Sequence, residues 1–134
     1  MSNLLRALIV EDSQENLWLM EEYLADCGFE LDFAENGETA IEKVIEGHPH
    51  LVFMDLQMPV MDGLEATRRI RRWEARTHMG PTPILALTAH AAGEGVRSSI
   101  EAGCNEHLTK PINKAKLLEA ISRHVIGKIE CIRP

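Results

Sequence analysis

Short apolar runs alternate with amphipathic segments along the chain. The runs occupy residues 4–10, 29–34, 50–55, 84–88 and 107–109. Unbroken apolar stretches within the third and fourth runs predict strands that are buried on both faces. The second run alternates apolar and polar residues, which predicts a half-exposed strand. The pattern therefore predicts five strands.

The segments between these runs carry apolar residues at helical spacing, as in residues 17–24. Ser13 is placed to cap the first helix, and Asp62 and Glu65 have the spacing of a capping box before the third. The polar stretch that begins at Glu74 predicts a frayed end for the third helix. A glycine follows each predicted helix, at positions 28, 47, 80, 103 and 127.

Five strands that alternate with five helices predict an α/β fold, with a parallel sheet covered by helices on both faces. A chain of 134 residues is most naturally one domain. Because the carboxyl ends of parallel strands meet at one edge of the sheet, that edge is where a ligand is expected to bind.

The charge balance argues against a nucleic-acid partner. Fourteen basic and 21 acidic residues give a net charge of −7, whereas nucleic-acid binding needs a cationic face. Arg68, Arg69, Arg71 and Arg72 form a basic cluster, but their helical spacing predicts a solvated helix face.

Cysteine usage and the N-terminal sequence predict a cytoplasmic protein. Cys27, Cys104 and Cys131 are an odd number without a C-x-x-C pair, which fits reduced thiols in a reducing compartment. Arg6 interrupts the first apolar run, so no signal-peptide pattern is present, and no apolar run is long enough to cross a membrane.

Four of the five predicted strands end on, or are directly followed by, a polar side chain that can take part in catalysis or ligand binding. The first is followed by Glu11 and Asp12, the third ends at Asp55, the fourth at Thr88, and Lys110 follows the fifth. If the first and third strands are neighbours, three carboxylates cluster and repel one another unless a cation is present. Oxygen ligands of this kind suit Mg²⁺, and a hydroxyl and an ammonium group beside them suit a phosphoryl group. Each residue also has an ordinary explanation, as a turn acid, a strand former or a surface lysine.

These motifs resemble the receiver domain of two-component response regulators. They are LIVED at 8–12, MDLQMPVMDG at 54–63, LTA at 87–89 and KP at 110–111. The resemblance covers about residues 4–126 and implies a flavodoxin-like (βα)5 three-layer sandwich with strand order 2-1-3-4-5. It places the receiver domain at 1–127 and leaves 128–134 as a short C-terminal tail.

The resemblance also implies a role for each motif residue. Asp55 is the expected phosphorylated residue. The expected Mg²⁺ ligands are Asp55, Asp12, Glu11 through water and the backbone carbonyl of Gln57. Phosphoryl oxygens are expected to contact Thr88, the Ala89 amide and Lys110. The resemblance also implies a cis bond before Pro111, which is expected to aim Lys110 inward. Thr88 and the residue at position 107 form the expected switch, although His107 replaces the usual Tyr or Phe.

The implied partners are a sensor histidine kinase or a histidine phosphotransfer protein, and an unknown downstream protein. We expect no direct nucleic-acid binding, no membrane contact and no enzymatic activity, and a homodimer stays open. The chain is expected to act through protein contacts or to be a segment of a larger protein, such as a hybrid histidine kinase.

Three other functional classes have sequence requirements that can be compared with this chain. A small aspartyl phosphatase needs a second acid just after Asp55, where Leu56 and Gln57 stand. A flavin mononucleotide binder needs a Ser/Thr-rich phosphate loop and stacking aromatics, yet aromatic residues are only 4%. The third class is a receiver-like module that is never phosphorylated, and its expected mark is an incomplete acidic pocket.

Overall fold

The computed structural model describes residues 5–89 and 94–125, in which five strands alternate with five helices. The strands are β1 (Arg6–Val10), β2 (Glu30–Ala34), β3 (Leu51–Asp55), β4 (Ile84–Thr88) and β5 (Glu106–Thr109). The helices are α1 (Gln14–Leu24), α2 (Gly37–Gly47), α3 (Gly63–Thr77), α4 (Glu94–Ala102) and α5 (Lys114–His124). No helix within these ranges has both the length and the apolar composition that a membrane span requires. The predicted boundary at 127 and the tail 128–134 lie outside the described residues.

All strand pairs are parallel, and the strand order is β2-β1-β3-β4-β5. The predicted α/β fold and strand order are confirmed. β1 and β3 lie side by side with Val10 opposite Met54, so the residue after β1 and the last residue of β3 reach the same level. On the other side of β3, Asp55 is opposite Leu87, the residue before Thr88. The sheet register therefore brings the predicted site residues to one edge.

Helices cover both faces of the sheet and make two separate cores. One core joins α1 and α5 to the sheet through side chains such as Leu17, Leu117 and Phe53. The other joins α2 and α3 to the opposite face through side chains such as Val44, Ile70 and Met54. Successive residues of β3 point to opposite cores, which is why its sequence is continuously apolar.

Four helices begin with an N-cap residue whose side chain accepts a backbone hydrogen bond. Ser13, Asn36, Asp62 and Asn113 each accept a hydrogen bond from a backbone N–H in the first turn. The capping box predicted at α3 is only half formed. Asp62 accepts from the Glu65 N–H at 2.9 Å, but the Glu65 carboxylate pairs with arginines of the following turns instead of reaching back.

Glycine ends only some of the helices. Gly103 has a positive φ angle directly after α4, as glycine allows. Gly28 also has a positive φ angle, but the prediction that it caps α1 is wrong, because α1 ends at Leu24 with Ala25 as its cap. At the ends of α2 and α3 the left-handed position is taken by His48 and His78. Gly127 lies outside the described residues.

The predicted fraying of α3 from Glu74 is wrong because Arg71 and Glu74 anchor that end. Glu74 is only 4% exposed, accepts from the Thr82 N–H at 2.8 Å and pairs with Arg71 at 2.7 Å. Arg71 also donates to the carbonyl oxygens of Thr82 and Gly103 and to the side chain of Asn105. The predicted solvated arginine face is therefore wrong for Arg71, while the other three arginines of the cluster are exposed.

The expectation of uniformly reduced cysteines is wrong for Cys27, which is buried and disulfide-bonded. The absence of a C-x-x-C motif excludes only local pairs, because cysteines distant in sequence can meet in the folded chain. Cys104 is a free, buried thiol. Burial raises the pKa of the Cys104 thiol, and Cys131 lies outside the described residues.

Candidate functional site

Three carboxylates meet where β1 and β3 end. Glu11, Asp12 and Asp55 each place a carboxylate oxygen within 4.8 Å of the other two. Glu11 and Asp55 are buried, with 1% and 2% of their surface exposed, while Asp12 is exposed to solvent. The site is therefore an acidic pocket with two acids inside and one at its mouth.

Lys110 reaches this pocket from the end of β5. Its Nζ lies 3.0 Å from Glu11 Oε1 and 3.1 Å from Asp55 Oδ2. The peptide bond from Lys110 to Pro111 is cis, as the resemblance implied. Burial by itself lowers the pKa of Lys110, but the nearby carboxylates of Glu11 and Asp55 outweigh this effect and raise it above its ordinary value. Lys110 is therefore held in its cationic form beside the two buried acids.

Backbone amides fix the orientation of both buried carboxylates. The Ser13 N–H donates to Glu11 Oε2 at 3.0 Å, and the Gln57 N–H donates to Asp55 Oδ1 at 3.1 Å. Sequence reasoning missed these two donors, because Ser13 was predicted only to cap α1 and Gln57 only to supply its carbonyl. A backbone amide leaves no mark in the sequence.

One oxygen of the pocket lacks a hydrogen-bond donor among the described residues. Glu11 Oε1 is buried and accepts no hydrogen bond there. The Lys110 ammonium lies 3.0 Å from this oxygen, close enough for charge attraction. A buried carboxylate oxygen without a donor is costly, and a bound cation would satisfy it. The donor set of the pocket is therefore suited to a hard divalent cation.

The start of α3 packs directly against the site. A Cβ at Gly63 would lie 2.2 Å from the backbone oxygen of Asp55, so only glycine fits at this position. The Gly63 N–H in turn points back to the Leu56 carbonyl at 3.4 Å. The sequence Asp62-Gly63 thus serves both to begin α3 and to let it approach the end of β3.

The remaining predicted residues lie around the same edge. Thr88 is buried at the end of β4, and its carbonyl accepts from the Lys110 N–H at 2.7 Å, which joins the ends of β4 and β5. Ala89 is exposed in the loop that follows. His107 is half-buried on β5, opposite Ala86, and its part in switching stays a prediction.

Comparison with known proteins agrees with this geometry. The family model of the response regulator receiver domain matches residues 7–122. The chain is 42% identical over 116 residues to the sensor protein GacS of Pseudomonas syringae pv. syringae, covering 87% of this chain and 13% of GacS. Its fold is similar to the receiver domain of Saccharomyces cerevisiae Ssk1, solved in complex with the histidine phosphotransfer protein Ypd1, with a TM-score of 0.86, 35% identity and coverage of 90% and 88% of the two chains.

A second solved structure is the receiver domain of the sensor histidine kinase PA1611 from Pseudomonas aeruginosa PAO1, which holds a magnesium ion in its active-site cleft. Its TM-score is 0.80 at 31% identity, with coverage of 90% of this chain and 97% of that one.

With a matching family model, strand order and acidic pocket, the chain belongs to the response regulator receiver domain family. It is a receiver domain of two-component signal transduction. The chain spans about 13% of the length of GacS.

Proposed function

We propose that Asp55 accepts a phosphoryl group from a phosphohistidine on a partner protein. The observation that carries this proposal is the position of the Asp55 carboxylate. It lies at the carboxyl end of the central strand, within 4.8 Å of two further acids and 3.1 Å from the Lys110 ammonium. A buried nucleophile between a cation-binding set and a fixed positive charge is what phosphoryl acceptance requires.

In the proposed transfer, a carboxylate oxygen of Asp55 forms a bond to phosphorus as the phosphorus–nitrogen bond of the phosphohistidine breaks. The imidazole leaves with the electron pair of that bond and takes a proton from solvent. The Gln57 N–H holds Asp55 Oδ1 at 3.1 Å, so the nucleophile is oriented before the partner arrives. Lys110 offsets charge on the transferred group, and the Thr88 hydroxyl and the Ala89 amide donate to its oxygens.

Glu11, Asp12, Asp55 and the carbonyl of Gln57 would hold Mg²⁺ in this pocket. The buried Glu11 oxygen without a donor supports the fit, as does the all-oxygen ligand set. When bound, Mg²⁺ neutralises negative charge on the phosphoryl oxygens. Among the described residues, the Lys110 ammonium pairs with Glu11 and Asp55 but not with Asp12, so a cation would offset the remaining negative charge of the pocket.

The partner is proposed to be a histidine phosphotransfer protein or a sensor histidine kinase. The similar Ssk1 receiver domain was solved together with the phosphotransfer protein Ypd1, and GacS is a sensor protein. We further propose that the domain is not an enzyme with its own turnover substrate, and that it passes the signal on through protein contacts.

The test is phosphorylation of the chain with acetyl phosphate and Mg²⁺, followed by intact mass. The wild type should gain the mass of one phosphoryl group, and Asp55→Asn should gain none. Asp62→Asn is the matched control, since it makes the same chemical change in an exposed residue that caps α3, where Asn also caps well. Equal labelling of wild type and Asp55→Asn would refute the proposal.

A further inference from the structure

A surface groove lies between α2 and α3 and shares no residue with the acidic pocket. Its volume is about 500 Å³. It is lined by Ile41, Ile45, Glu65, Arg69, Arg72, Trp73 and Arg76. The groove thus combines apolar side chains with arginines, a mixture that the phosphoacceptor chemistry does not use.

The apolar part of the groove is accessible to solvent. Ile45 is 37% exposed, so part of its side chain can contact a ligand. Trp73 packs against the core through α3 and stacks on His48 with ring centroids 5.7 Å apart. A fixed, partly exposed tryptophan beside isoleucine is a favourable anchor site for an apolar side chain.

The charged part of the groove is positive in an acidic protein. Three arginines and one glutamate line it, a local excess of two positive charges, while the whole chain carries −7. Glu65 is shared by Arg69, Arg72 and the neighbouring Arg68. Arg76 makes no ion pair with any residue that the structure describes. The groove therefore offers guanidinium groups that its own acids do not satisfy.

We propose that this groove binds an acidic amphipathic peptide segment of another protein. An aliphatic or aromatic side chain of the segment packs on Ile45 and Trp73, and flanking Asp or Glu side chains pair with Arg72 and Arg76. Guanidinium groups suit carboxylates because they donate two parallel hydrogen bonds. A nucleic-acid backbone carries anionic groups for the arginines, but it has no apolar side chain to pack on Ile45 and Trp73.

The test uses isotope-labelled, unphosphorylated protein and a short synthetic helical peptide, with leucine and tryptophan on one face and glutamates beside them. Two-dimensional NMR should show amide shifts that grow with peptide concentration and map to α2 and α3 around Ile45 and Trp73. The same peptide with lysine in place of glutamate should bind much more weakly. Arg76→Glu should weaken binding of the glutamate peptide about fivefold, the effect of turning one surface attraction into repulsion.

Arg68→Glu is the matched control. It makes the same charge change on the same helix, but Arg68 does not line the groove, so binding should change less than with Arg76→Glu. Both variants should still be phosphorylated by acetyl phosphate, which separates this proposal from the role of Asp55. The proposal is overturned if the peptides cause no shifts at α2 and α3, if charge has no effect, or if duplex DNA binds the same residues more tightly. Self-association that saturates the groove without peptide would also overturn it.

Discussion

Val60 is the most strained residue of the loop that joins β3 to α3. Its φ angle is +69°, a region that a β-branched residue rarely adopts. The Met61 N–H donates to the Pro59 carbonyl at 2.8 Å across it, so Val60 is the centre of a tight three-residue turn. Since Val60 is 76% exposed, packing does not offset this strain.

Val60→Gly should therefore stabilise the protein. Glycine adopts positive φ without a clash of Cβ, and the expected gain in the free energy of unfolding is about 1 kcal/mol. Val60→Ala is the control, because it shortens the exposed side chain but retains a Cβ at positive φ. Chemical denaturation should show the gain for Gly and little change for Ala, and a loss of stability with Gly would contradict the strain.

The variant Asp12→Asn tests whether the three carboxylates of the acidic pocket lower the stability of the domain when no cation is bound. Without a divalent cation, Asp12→Asn should raise the free energy of unfolding by about 1 kcal/mol, because it removes repulsion between unit charges less than 5 Å apart. Added Mg²⁺ should stabilise the wild type and have little effect on the variant. Denaturation with EDTA and with Mg²⁺ measures both effects, and equal stabilisation of both proteins by Mg²⁺ would contradict the assignment of Asp12 as a ligand.

At the level of elements, α3 is held at its start by close backbone packing and at its end by side-chain hydrogen bonds. Its start depends on Gly63, which lets the helix approach the backbone of Asp55. Its end depends on Arg71, which is largely buried and donates to groups from α3, from the loop before β4 and from the end of α4. α3 therefore links the site to the opposite end of the domain.

Arg71→Met should destabilise the domain strongly. The buried Glu74 carboxylate would lose its charged partner, and two carbonyl oxygens would lose donors, which should cost about 3 kcal/mol. Arg71→Lys should recover only part of this, because an ammonium cannot replace the fork of the guanidinium. Exposed Arg72 is the control, and Arg72→Met should change little. Similar unfolding free energies for Arg71→Met and Arg72→Met would show that Arg71 does not anchor α3.

Over the whole molecule, the apolar pattern predicted the strands, and the polar residues at four of the five strand ends predicted the edge where they meet. This was possible because a parallel sheet aligns its carboxyl ends, so position along the chain translates into position in space. The strand order came from the resemblance to receiver domains, since alternation alone does not select which strands are neighbours.

What the sequence could not predict depends on contacts between distant residues. The sequence pattern does not distinguish Arg71 from the surface arginines beside it, because its contacts with the loop before β4 form only in the folded chain. His48 and His78 take backbone conformations for which glycine is the usual choice, and the disulfide of Cys27 has no local motif. The backbone donors to Glu11 and Asp55 likewise exist only in the folded chain.

The central claim is that Asp55 itself carries the phosphoryl group, and chemical mapping tests it most directly. The chain is treated with acetyl phosphate and Mg²⁺, the acyl phosphate is reduced with borohydride, and peptides are sequenced by mass spectrometry. Reduction converts a phosphorylated aspartate to homoserine. Homoserine at position 55 alone is the predicted result. Homoserine at position 12 or elsewhere, or none at any position, would contradict the account.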